Sequence, residues 1–141
     1  MRNKKGFTLV EILIVVVILG ILAAIVIPQF TNASSEAKAS RVAADLQTLR
    51  SQVELFKIQH TDLRPGEDTA ATFAQCMTGC TSEAGAVVAT GTAGAKGPYM
   101  QSIPTNPYAT ASGDVVALDG SGDHGWNYIT GTGQIVADPN S

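Results

Sequence analysis

The side chains in this 141-residue chain whose types and spacing can do chemistry fall into a few groups. Glu11 is a lone carboxylate inside the apolar run of residues 7–27, whose only other hydroxyl, amide or charged side chain is Thr8. A carboxylate in hydrocarbon costs roughly 2.5–3.5 kcal/mol on insertion scales, so it calls for a partner. Thr8 and Glu11 also fit the T-x-x-E capping box, in which an acid in the first turn favours the helix dipole. Cys76 and Cys80 are the two cysteines. Oxidising surroundings would let them form a disulfide, although an i, i+4 pair in an unbroken helix is poor geometry for one unless Gly79 relaxes the backbone. The alternative is a pair of buried thiols. Two thiols without two further ligands nearby do not make a zinc site. Asp114, Asp119 and Asp123 crowd one region and offer oxygens to Ca²⁺, against the simpler reading of a hydrophilic turn between strands. Thr130 stands at the twelfth position from Asp119, so the segment is not an EF-hand loop.

Other motifs point away from catalysis. Residues 120–125 (GSGDHG) match G-x-G-x-x-G, but a dinucleotide fingerprint needs a helix directly after it, and a strand pattern follows here. His60 and His124 have no visible nucleophile or ligand set, and His60 reads as a polar residue at a helix end. Neither G-x-S-x-G nor H-E-x-x-H occurs. No enzymatic activity and no cofactor are expected, calcium aside. The formal net charge is −3, and without Arg2, Lys4 and Lys5 the acidic excess grows, so no nucleic-acid footprint is present.

These groups need elements to hold them. Residues 7–27 form an apolar run of about 20 residues, long enough to cross hydrocarbon as a helix. The basic leader lies on its N-terminal side and places that end in the cytoplasm. A secretory signal peptide cut near Ala23-Ala24 and a permanent single-span anchor are the competing readings. Gly20 and Pro28 are weak points in the helix, since glycine costs about 1 kcal/mol against alanine and proline removes a hydrogen bond.

The N-terminal stretch resembles the leader and first helix of type IV pilin-like prepilins. Gly6, Phe7, Thr8, Leu9 and Glu11 give G-F-T-L-x-E, and Gly20, Ala23, Ala24, Pro28 and Phe30 extend the likeness. Residues 97–108 (GPYMQSIPTNPY) are similar to a stretch of many pseudopilins and tilt the resemblance toward the major pseudopilin of type II secretion. The resemblance implies cleavage between Gly6 and Phe7 by a prepilin peptidase, N-methylation of Phe7, and side-by-side assembly into a helical homo-oligomeric filament. It also implies an assembly ATPase platform and minor pilins as partners, and lets the segment from Gly20 to Pro28 loosen in the filament; a static kink is the alternative. A tip-initiating subunit in this family usually lacks the acid that Glu11 supplies, so its presence favours a repeating subunit. The implied location is the bacterial inner membrane, single-pass with the head in the periplasm, followed by a periplasmic pseudopilus or a surface pilus. After such a cut the amine of Phe7 is the nearest cation to Glu11, four residues back on the same face; a neighbouring subunit's amine would serve equally, and the pair would set axial register. Major pseudopilins carry a calcium site in their C-terminal loop, which residues 114–123 do not match ligand by ligand. Alternatives remain a type IV pilin for adhesion, twitching or DNA uptake, and a membrane-anchored periplasmic binding domain.

The expected fold is α+β and pilin-like: leader 1–6, membrane or filament-core helix 7–28, amphipathic half 29–60 and head 61–141. Val42, Leu46, Leu49, Val53 and Phe56 recur at helical spacing, and no Gly or Pro interrupts residues 29–60. Pro65-Gly66 marks a turn, Asp68 is placed to cap a short helix over 69–78, and a short strand is expected at 86–90. Strands at 115–118, 125–129 and 134–137, separated by Gly/Asp turns, predict a small antiparallel sheet covering the helix through Trp126 and Tyr128. Tyr99, Met100, Ile103 and Tyr108 are expected to pack on the head.

Overall fold

A computed structural model describes residues 6–67, 71–109, 112–119 and 124–138. The chain divides into two compact units, Met1–Ala37 and Lys38–Ser141.

The first unit consists of the N-terminal part of helix α1, assigned over Leu9–Gln59. Gly20 and Pro28 both lie inside it. Pro28 has no N–H to give the carbonyl of Ala24, so one rung of the ladder is missing there. Large apolar side chains are exposed throughout, from Leu9 to Phe30.

In the second unit the amphipathic part of α1 meets the rest of the chain. Leu49, Val53 and Phe56 are fully buried, with Val42 and Leu46 packed at the margin, so the spacing correctly identified the buried stripe. They meet Phe73, Cys76 and Met77 of a second helix, and Ile103, Trp126, Tyr128 and Ile135. Helix α1 stops after Gln59 with Thr61 and Asp62 both in the left-handed region, at φ 55° and 69°. That turn lets the Asp62 N–H reach the carbonyl of Lys57 at 2.9 Å.

The second helix, α2, covers Phe73–Thr78 and is shorter than the sequence predicts. Thr72 caps it in a capping box with Gln75, so the expected start at Thr69 is corrected to the next strong cap; Asp68 lies outside the described residues. Two two-residue strands follow, β1 (Cys80–Thr81) and β2 (Val87–Val88), paired antiparallel. Only the second was expected. Both backbone amides of Tyr99 and Met100 donate to the carbonyl of Met77, at 2.9 and 3.1 Å, which docks the proline-rich segment on α2. Ile103 is buried there, whereas Tyr108 remains 39% exposed and is not part of the core.

The tail forms β3 (Ser112–Leu118), β4 (His124–Ile129) and β5 (Gln134–Ala137), in the order β3-β4-β5. β4 and β5 are the expected hairpin, closed by Gly133 at φ 71°. β3 corrects the expected all-antiparallel sheet, because it pairs parallel with β4. The sheet is mixed. The register sets Leu118 beside Tyr128, so the end of β3 lies beside the end of β4, and there Asp119, at φ 57°, bonds to Thr130. Gly113 and Gly125 make the close approach possible, since a Cβ on Gly125 would overlap the Gly113 carbonyl.

Candidate assembly site

The N-terminal unit places Thr8 and Glu11 at the start of an apolar helix. Thr8 is the last residue before α1, and its hydroxyl oxygen accepts from the Glu11 N–H at 3.3 Å. The Thr8 N–H and hydroxyl in turn lie 3.5 Å from Glu11 Oε2. The capping box expected from T-x-x-E is therefore formed, and it holds the carboxylate back against the helix start. Gly6 and Phe7 precede the helix, and both are exposed. A peptide bond outside regular structure and open to solvent is what a peptidase requires. Arg2, Lys4 and Lys5 lie outside the described residues.

From Ile12 to Ile27 the helix surface is apolar. Phe7 is 76% and Leu9 82% exposed, and none of the most apolar stretch of α1 is buried inside the protein. That stretch is long and apolar enough to cross a membrane. Such a surface is stable only where lipid or another apolar helix covers it. Gly20 has open space where a Cβ would stand, so a close neighbour could approach there.

The other sites lie in the second unit. Cys76 sits on α2 and Cys80 on β1, both buried. Each sulfur reaches its own acceptors, Cys76 Sγ the Gly85 carbonyl at 4.0 Å and Cys80 Sγ the Thr90 hydroxyl at 3.8 Å. Helix α2 ends at Thr78, so the two cysteines are not an i, i+4 pair within one helix. Asp114 is exposed on β3, and Asp123 lies outside the described residues. Both carboxylate oxygens of Asp119 hold Thr130: the Thr130 N–H and hydroxyl reach Oδ1 at 3.0 Å, and the hydroxyl reaches Oδ2 at 2.8 Å. Among the described residues no group of three His, Cys, Asp or Glu side chains is arranged to hold a metal ion. β4 begins at His124, so a strand follows the glycine-rich GSGDHG segment and the dinucleotide reading fails.

His60 is more deeply placed than a helix-end residue would be. It is 1% exposed, stacked on Phe56 with ring centroids 3.8 Å apart. Its Nδ1 lies 2.8 Å from the Phe56 carbonyl and donates to it, and its Nε2 shares a hydrogen bond with the Thr81 hydroxyl at 2.8 Å. The sequence did carry a signal: His60 follows Phe56 by four residues, the next position of the buried stripe. Tyr128 is likewise fully buried, and burial pushes its phenol up to about 12.

Comparison with known proteins bears on the N-terminal end. Residues 1–27 match the family described as the prokaryotic N-terminal methylation motif. The chain is 41% identical over 59 residues to type II secretion system core protein G of Pseudomonas aeruginosa, covering 42% of each chain. The protein of the same name in Dickeya chrysanthemi is 37% identical over 60 residues, covering 43% of this chain and 39% of that one. Type IV major fimbrial protein FimA of Dichelobacter nodosus is 49% identical over 51 residues, covering 36% of this chain and 33% of that one. The chain thus spans about two fifths or less of the length of these relatives. No solved structure matches.

Proposed function

We propose that the chain is a structural subunit of a type IV pilus-like filament, and specifically the major pseudopilin of a type II secretion system that drives protein export. The observation that carries this reading is the exposed apolar part of α1, entered through a capped Glu11 and preceded by an accessible Gly6–Phe7 bond. The methylation-motif match over residues 1–27 and the likeness to core protein G support it. The role is one of assembly, not catalysis.

In this reading the subunit waits in the inner membrane with its head in the periplasm. A prepilin peptidase cuts between Gly6 and Phe7, and the new amine is methylated. An ATPase-driven platform then moves the helix from lipid into a filament, where the apolar runs of other copies replace the acyl chains. Glu11 pairs with the amine of Phe7, its own or a neighbour's, and a mismatched register leaves that charge alone in hydrocarbon. The first test is intact mass and N-terminal sequencing of the protein from its native envelope. A start at N-methylated Phe7 is expected; a start beyond Ala24 or an intact Met1 would overturn the filament reading.

The likeness to FimA supports a second reading, a surface type IV pilus. Electron microscopy of sheared material separates the two. Long surface fibres containing this chain favour the pilus, and their absence with a processed periplasmic pool favours the pseudopilus.

A further inference from the structure

We draw no further inference here: the strongest candidate, the outward face of the amphipathic half of α1 that carries the exposed Leu55 and Ile58, is an apolar face with nothing in the structure to show what covers it.

Discussion

The carboxylate of Asp119 holds Thr130 by both its backbone N–H and its hydroxyl, at 3.0 and 2.8 Å, across the open end of the β3–β4 pair. Thr130 opens the turn between β4 and β5, and its carbonyl lies 3.4 Å from the guanidinium of Arg64. Arg64 in turn bonds to Glu67 at 3.2 Å. A line of polar contacts thus ties the end of β3, the β4–β5 turn and the segment after α1. They lie at the end of β3, where its parallel register with β4 sets Leu118 beside Tyr128.

Asp119→Ala removes these bonds and leaves the Thr130 N–H to solvent. The expected cost is about 1–2 kcal/mol, by analogy with the loss of a capping side chain. Thermal melting of the full protein in detergent reads it. The loss should be equal in calcium and in chelator, because the bonds removed go to Thr130. A loss seen in calcium alone would make Asp119 a metal ligand instead.

Glu11 has two separable roles, a cap and a charge. Glu11→Gln keeps a side chain able to accept from Thr8 but removes the charge. If pairing with the amine of Phe7 sets register, both Glu11→Gln and Glu11→Ala abolish filaments while the membrane pool stays at its normal level. Normal filaments from Glu11→Gln would reduce the residue to its cap. The readout is the ratio of sheared to membrane-bound protein.

Much of this was legible before any coordinates. The apolar run, the T-x-x-E cap and the 42-46-49-53-56 stripe rest on local periodicity, and local periodicity is enough to find them. β4 and β5 were found because alternation and a Thr-Gly turn are also local. The direction of β3 was not, because a Gly/Asp-rich segment looks the same whether it reverses the chain or carries it back alongside. The direction shows only in the pairing of β3 with β4, Leu118 beside Tyr128. β1 was missed for a related reason: two residues pairing with two have no periodicity to read.

Thr61 sits at φ 55°, two residues past the end of α1, in a region that β-branched residues avoid. Thr61→Gly should therefore stabilise the protein by up to about 1 kcal/mol, the relief of backbone strain exceeding the extra entropy of glycine. Asp62→Gly, at φ 69°, should gain less, because aspartate tolerates this region better. A lower melting temperature for Thr61→Gly would mean that its side chain makes a contact worth more than the strain.

Both ring nitrogens of His60 have partners, Nδ1 the Phe56 carbonyl and Nε2 the Thr81 hydroxyl. Thr81→Val keeps the shape of the fully buried threonine but leaves Nε2 unpaired. A buried polar atom without a partner costs about 1–3 kcal/mol. Thr81→Ser keeps the hydroxyl and should cost less. A larger loss from Thr81→Ser than from Thr81→Val would show that packing of the threonine methyl, not the hydrogen bond, matters here.

Tyr128 makes the protein's stability fall in strong alkali. Its phenol is pushed up to about 12 in the folded state, against 10.0 for the free side chain, and the largest cause is burial. A raised pKa means that the unfolded chain ionises first. The contribution is therefore complete below pH 10 and is lost as the pH climbs through the interval to 12, by up to about 3 kcal/mol. Arg64 opposes the shift and Glu67 and Glu54 add to it, so the size of the effect depends on that local balance. Among the described residues the buried hydroxyl finds no hydrogen-bond partner. Tyr128→Phe should then melt near the wild-type temperature at pH 7 and show a flatter decline from pH 10 upward. An alkaline decline unchanged by Tyr128→Phe would assign it to other groups, with Tyr99, whose phenol is also raised by burial, the next to substitute.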